Sequence, residues 1–179
     1  MTTDEQLAAA AQQGADSAFS ELVERYQLRL LRFLLARSAS RADAEDAVQD
    51  TFVNAYRYLH SYDSRWRFST WLYRIALRNA ARQSRAGMMP AAEPTDEQDD
   101  PLAACIAASA RENLWLAARR LLSADAYAAM WLRYVEDLPL ADVAKALQRP
   151  LPWTKVTLMR ARRRLGRELA QDDRSENYG

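Results

Sequence analysis

The segment Tyr62-Asp-Ser-Arg-Trp-Arg-Phe-Ser-Thr-Trp-Leu-Tyr-Arg-Ile-Ala-Leu-Arg-Asn79 sets Trp66, Phe68, Trp71 and Tyr73 among Arg65, Arg67, Arg74 and Arg78. Aromatic rings stack on unpaired bases and guanidinium groups neutralise phosphates, so this mixture suits a surface that holds single-stranded nucleic acid. Trp71, Arg74, Arg78, Arg82 and Arg85 recur at spacings of three and four. On a helix of about 3.6 residues per turn they form one ridge, a phosphate track with a stacking platform at its head. Leu72, Ile75, Ala76 and Asn79 fall on the adjoining face and are left to pack. A plainer alternative, core aromatics beside a solvated basic face, accounts for Leu72 and Ile75. It accounts less well for Trp66 and Phe68, which the sequence places in a loop among arginines.

Two further surfaces flank this one. Upstream, Asp43, Glu45, Asp46, Gln49 and Asp50 share a polar stripe on a helix opened by Ser40-Arg-Ala-Asp43, a near capping box. Acids near a helix start are usually solvated charge favoured by the helix dipole, but that dipole acts only in the first turn and Asp50 lies deeper, so the stripe reads either as a solvated face or as a docking face for a basic partner. Downstream, Leu140, Val143, Ala144 and Leu147 outline a short helix, followed by a Pro-containing turn and a longer basic helix. That order has helix-turn-helix form. In the longer helix Leu158, Ala161, Leu165 and Leu169 point inward, with Thr154 continuing the stripe. Trp153, Thr154, Lys155, Val156, Met159, Arg160 and Arg163 are the candidate DNA-binding residues. Residues near the amino end of such a helix meet base edges and later basic residues meet phosphates.

The elements that must carry these surfaces are all helical. Four glycines among 179 residues, with 49% apolar content, predict an all-α chain with enough apolar mass for real cores. The first half predicts helices over Asp4 to Ala11, Ser17 to Arg37 (Phe19, Leu22, Val23, Tyr26, Leu30, Phe33 and Leu34 inward) and Ser40 to about Leu59. In the third of these Ala47, Val48, Thr51, Phe52, Ala55, Tyr56 and Leu59 point inward. A loop over His60 to Phe68 leads to a fourth helix, capped by Ser69 or Thr70 and running to about Arg85. The second half predicts helices over Leu102 to Leu122, Ala124 to Tyr134, Leu140 to Leu147 and Trp153 to about Leu169. Two small helical domains, 1–86 and 102–170, are expected, joined by a flexible acidic linker over 87–101 and followed by a frayed polar tail, 171–179. The linker reads as a solvated tether or as an acidic strand that lies in a basic channel meant for nucleic acid.

The net charge is only +1, so the electrostatic signal lies in segregation and not in the total. No stretch predicts a secretory signal or a membrane span, so membrane insertion is not expected. A lone Cys105 fits a reducing cytoplasm and a small packing residue, and with a single His60 it leaves no metal cluster to expect. No glycine-rich phosphate loop or nucleophile–histidine set is recognisable, so neither a cofactor nor a catalytic residue is expected.

The three surfaces, in this order, resemble the extracytoplasmic-function (ECF) group of bacterial sigma factors over nearly the whole chain. Asp16-Ser-Ala-Phe-Ser-Glu-Leu-Val-Glu-Arg-Tyr26 is similar to that group's opening helix and Asp43-Ala-Glu-Asp-Ala-Val-Gln-Asp-Thr-Phe52 to its polymerase-clamp motif. Phe68-Ser-Thr-Trp-Leu-Tyr-Arg-Ile-Ala76 resembles the promoter-melting, minus-10 segment, and Tyr134 to Leu147 with Pro150 to Leu165 resembles the minus-35 helix-turn-helix. The resemblance implies a non-enzymatic initiation subunit with three kinds of partner: the RNA polymerase core at its clamp and flap, promoter DNA, and an anti-sigma factor. Val156 and Thr157 stand where the family usually offers a polar or basic pair, so no particular minus-35 sequence follows. Two other classes fit parts of the chain: a stand-alone helix-turn-helix regulator, which leaves the aromatic–arginine loop unexplained, and a polymerase-docking protein that does not melt DNA.

Overall fold

The computed structural model describes residues 2–86 and 110–176. The expected linker, Cys105 and the last residues of the tail lie outside it, as do the side chains of Arg85 and Leu169. Every regular element among the described residues is helical: α1 Asp4–Gln12, α2 Asp16–Leu35, α3 Arg41–Arg57, a 3-10 turn Leu59–Ser61, and α4 Phe68–Ala86, then α5 Ala110–Leu121, α6 Ala124–Tyr134, α7 Leu140–Leu147 and α8 Leu151–Glu176. The polar tail was expected to fray, yet α8 continues to Glu176.

Local chemistry explains where these helices begin. Thr3 and Gln6 exchange side chain-to-backbone bonds in a full capping box before α1. Gly14, at φ +92, supplies the left-handed turn into α2. Ser40 accepts from the Asp43 N–H at α3, and Ser123 from the Ala126 N–H at α6. The start of α4 departs from expectation. The helix opens at Phe68, and Ser69 and Thr70 lie buried within its first turn. The Phe68 N–H donates at 3.2 Å to Glu5 Oε1, so a carboxylate from α1 provides the cap.

In the first half α2 packs on α1 and α3, and α3 on α4. Phe19, Leu22, Tyr26, Leu30, Phe33 and Leu34 are buried on α2 as their spacing predicts, as are Ala47, Thr51 and Ala55 on α3. Tyr56 is the exception on α3: it is 54% exposed, and its hydroxyl donates to Asp16 Oδ1 at 3.0 Å. In the second half α8 rests on α5, α6 and α7. Trp115, Tyr127 and Trp131 form an aromatic cluster there, with Trp115 and Trp131 centroids 5.1 Å apart.

The two halves pack on each other. A single buried apolar cluster contains residues of both, and α4 lies against α7. Phe33 of α2 meets Trp131 of α6 at 6.3 Å between ring centroids. Glu136, after α6, is the polar centre of this contact, with a side chain only 1% exposed. Tyr73 Oη donates to Glu136 Oε1 at 2.7 Å, Trp131 Nε1 donates to Tyr73 Oη at 3.2 Å, and Arg29 pairs with Glu136 Oε2 at 3.2 Å. A buried carboxylate needs such partners, because an uncompensated buried charge costs several kcal/mol. At the rim, Asp125 lies 3.5 Å from Arg37 Nη1 of the first half and 2.8 Å from Arg149 Nη2 of the helix-turn-helix.

Candidate nucleic-acid interface

The loop over Asp63 to Arg67 is shaped by its own polar groups. Asp63 accepts from the Arg65 N–H at 3.0 Å and pairs with the Arg65 guanidinium, which holds its carboxyl below the ordinary value. Tyr62 is buried, and its hydroxyl donates to the Trp66 carbonyl at 2.6 Å. The loop is also tied to α1: Gln12 Nε2 donates to the carbonyls of Leu59 and Tyr62, each at 2.8 Å. These bonds fix the backbone that carries Trp66.

Trp66 is 46% exposed, as a base-stacking residue must be. Phe68 is not. It is fully buried and meets Tyr26, Tyr62 and Trp71 with ring centroids at 5.7, 5.6 and 5.7 Å. The expectation that Phe68 stands in the loop and contacts bases is therefore corrected: it is the first residue of α4 and a core anchor. Trp71 is half-buried, against Tyr62 and Phe68, with part of its ring open. Tyr73 is fully buried, and burial beside Glu136 pushes its hydroxyl well above the ordinary value. Arg65, Arg67, Arg74, Arg78 and Arg82 are all exposed, so the ridge of α4 faces solvent while Leu72 and Ala76 pack beneath it. Asn79 is buried, and its Oδ1 accepts from Asn54 Nδ2 at 3.1 Å, linking α4 to α3.

The acidic stripe is exposed on α3 at Asp43, Glu45, Asp46, Gln49 and Asp50. Asp43 belongs to the Ser40 cap and Glu45 pairs with Arg41 at 2.9 Å, so Asp46 and Asp50 stand farther from the helix start. Farther along α3 a groove against α2 is lined by Phe19, Phe52, Val53, Tyr56 and Arg57. Val53 and Tyr56 are exposed there, an apolar extension of the stripe's helix that the placement of Tyr56 among the inward residues missed. The signal for it lay in the arc: Ala44, Ala47, Thr51 and Ala55 fill one face of the helix, and Tyr56 and then Val53 lie progressively beyond its edge at about 100° per residue.

The helix-turn-helix forms as expected. α7 ends at Leu147 and is capped by Gln148, left-handed at φ 54, and the Arg149 N–H donates to the Ala144 carbonyl at 3.0 Å. α8 begins at Leu151, two residues earlier than predicted. Lys155, Val156, Met159, Arg160 and Arg163 are exposed, while Leu158, Ala161 and Leu165 are buried. Thr154 is fully buried and its hydroxyl donates to the Pro150 carbonyl at 3.3 Å, so its assignment as a DNA contact is corrected to a packing role. Trp153 is half-buried beneath the Arg149 guanidinium, 5.1 Å from its ring centroid.

Residues 22–87, most of α2 through α4, match the family model described as Sigma-70 region 2. The ECF RNA polymerase sigma-E factor of Haemophilus influenzae is 33% identical over 174 residues, which cover 89% of this chain and 92% of that protein. The chain belongs to the ECF RNA polymerase sigma factors. It is accordingly a transcription-initiation subunit, a promoter-directed partner of RNA polymerase. The overall architecture is shared with a solved structure as well: that of CnrH in complex with the cytosolic domain of CnrY matches with a TM-score of 0.66 at 25% identity, covering 94% of this chain and 98% of that one. The Bartonella quintana sigma factor RpoE, solved with the anti-sigma factor NepR, shares the fold at a TM-score of 0.57 and 22% identity, over 85% of this chain and 96% of that one. No helix among the described residues is long and apolar enough to cross a membrane.

Proposed function

We propose that this sigma factor divides promoter recognition between its halves. Trp66 and Trp71, with Arg65, Arg67, Arg74, Arg78 and Arg82, hold the unpaired minus-10 strand, while Lys155, Val156, Met159, Arg160 and Arg163 read and grip minus-35 duplex. The observation that carries this reading is the sidedness of α4: Arg74, Arg78 and Arg82 are exposed on the face opposite buried Leu72, Tyr73 and Ala76, with exposed Trp66 just before the helix. Such a face gives phosphates a continuous positive track and gives a base one open aromatic ring. Val156 and Met159 offer apolar contact to thymine methyl groups, and Lys155, Arg160 and Arg163 reach phosphates or base edges.

The acidic stripe, with Asp46 and Asp50 at its exposed centre, docks on the polymerase clamp, and the helix-turn-helix half reaches the flap. An anti-sigma factor is a further partner, by analogy with the NepR complex of the Bartonella quintana relative. The two units, 1–86 and 102–170, act as separate promoter readers on the polymerase, joined by the acidic linker. The protein works in the cytoplasm, where polymerase and promoter DNA are. It contributes recognition and strand separation, and bond formation belongs to the polymerase. Specific transcription from purified core polymerase plus this protein is the test: initiation at a promoter that core alone ignores supports the reading. Promoter-duplex binding of unchanged strength with and without core, and no specific transcript, would favour the stand-alone regulator instead.

A further inference from the structure

We infer that Arg149, in the turn between α7 and α8, grips a phosphate of the minus-35 duplex and that Trp153 is the residue that positions it; the inference rests on the minus-35 role proposed for α8. In a helix-turn-helix the first helix crosses the DNA backbone and the second enters the major groove amino end first, so the turn between them passes beside phosphates. Amide N–H groups at a helix start commonly hold such a phosphate. Here Pro150 and Pro152 carry no N–H, and the Thr154 N–H is taken by the Pro150 carbonyl at 3.1 Å. The amino end of α8 is therefore short of donors, and a side chain must supply them.

Arg149 is placed to do so. Its backbone is fixed by the left-handed Gln148 and by the bond from its own N–H to the Ala144 carbonyl. Its guanidinium lies 5.1 Å from the centroid of the Trp153 ring and donates through Nη2 to Asp125 Oδ2 at 2.8 Å, yet the side chain stays 50% exposed. A guanidinium has further N–H groups beyond the one committed to Asp125, so at this exposure a phosphate can bind without breaking the ion pair. The ring and the carboxylate together restrain a long side chain before DNA arrives, which lowers the entropy lost on binding. Trp153 itself is half-buried under the guanidinium, so it acts on DNA through Arg149 and not by touching a base.

The test uses holoenzyme, core polymerase with the full-length chain, and a fluorescein-labelled duplex promoter from which that holoenzyme initiates, read by anisotropy in the cold, where the strands stay paired. One phosphate contact makes affinity vary as roughly the −0.9 power of salt, so Arg149→Met should bind about eightfold more weakly near 0.1 M salt and lower the slope of log affinity against log salt by about one. Trp153→Ala should bind more weakly too, Trp153→Phe should restore most of that loss, and Trp153→Ala should cost nothing further in an Arg149→Met background. The loss from Arg149→Met should persist in an Asp125→Asn chain and vanish on a duplex cut off downstream of the minus-35 region. An unchanged slope, a loss confined to chains that keep Asp125, or a loss that survives on the shortened duplex overturns the phosphate contact. Equal costs of Trp153→Ala with and without Arg149 overturn the positioning role. Arg160→Ala separates the two levels: if it too leaves the slope unchanged, the minus-35 role of α8 is wrong and the inference falls with it. If Arg160→Ala alone lowers the slope, that role stands and only Arg149 is misassigned.

Discussion

Trp66 and Phe68 are two residues apart and do opposite work, and the difference is burial. Phe68 fills the space between Tyr26, Tyr62 and Trp71, whereas Trp66 offers half its surface to solvent. Phe68→Ala should lower stability by about 3 to 5 kcal/mol, as for other large-to-small core changes, in chemical denaturation of the free protein. Trp66→Ala should cost only about 1 kcal/mol there, the scale of its cation–π contact with Lys145. In holoenzyme it should instead lower open-complex formation roughly 5- to 150-fold, the equivalent of one stacked base, with permanganate-reactive promoter thymines as the readout. Wild-type bubbles with Trp66→Ala would return that ring to a structural role. At Glu136 burial dominates: it pushes the carboxyl above the ordinary value, against the pull of Arg29 and the Tyr73 hydroxyl, with Asp4 adding a smaller push upward. The folded chain therefore binds this proton more readily than the unfolded chain. Its contribution is full below the ordinary glutamate value and is lost as pH rises through the raised one. Relative to Glu136→Gln, the wild-type urea midpoint should fall with rising pH across that window and then level off. A wild-type advantage that grows with pH would mean that the Arg29 pair outweighs burial.

At the scale of elements, each helix pairs one buried face with one working face, and this is what the sequence reveals best. The three-and-four spacing of Leu22, Tyr26, Leu30 and Phe33 identifies the core face of α2, and that of Arg74, Arg78 and Arg82 the open face of α4. Periodicity is local and survives without knowledge of neighbours. What it could not supply was any fact settled by a distant segment. Glu5 caps α4, so the helix begins at Phe68 and carries that ring inward. Tyr56 leaves the core because Phe19 and Asp16 of α2 meet it at the surface, with ring centroids of Phe19 and Tyr56 5.0 Å apart. Thr154 was visible both as the continuation of an apolar stripe and as a DNA contact, and packing chose the first. Working faces yield two predictions. Asp46→Arg on exposed α3 should leave far-UV dichroism and thermal unfolding nearly unchanged and sharply reduce co-purification with core polymerase; retained binding would remove the stripe from the interface. On α8, Arg160→Ala should weaken closed-complex recruitment and lower the slope of log affinity against log salt by about one, the signature of a lost phosphate contact. An unchanged slope would place Arg160 away from the backbone.

Over the whole molecule, the sequence marks two helical halves but not how tightly they adhere, because that depends on Phe33, Tyr73, Trp131 and Glu136 meeting across the chain. Phe33 and Tyr73 stand edge to face at 4.9 Å in the first half, and Trp131 of the second half closes on both. Aromatic pairs of this geometry add about 0.5 to 1.5 kcal/mol each beyond burial, and loss of Arg29 or Tyr73 would leave the buried Glu136 carboxylate short of a partner, which weakens the packed state. Since one buried cluster serves both halves, the free chain should unfold as a unit. Helix content by far-UV dichroism and the environment of Trp115 and Trp131 by fluorescence should then report the same urea midpoint. Tyr73→Phe keeps the ring and its contact with Phe33 but removes the hydroxyl that donates to Glu136 and accepts from Trp131. That change should cost about 1 to 3 kcal/mol, leaving a buried carboxylate and an indole N–H each short of a partner, and should separate the two midpoints. Coincident midpoints in Tyr73→Phe at wild-type stability would show that the apolar contacts alone join the halves. Midpoints already separated in the wild type would show that the halves fold independently and meet only weakly.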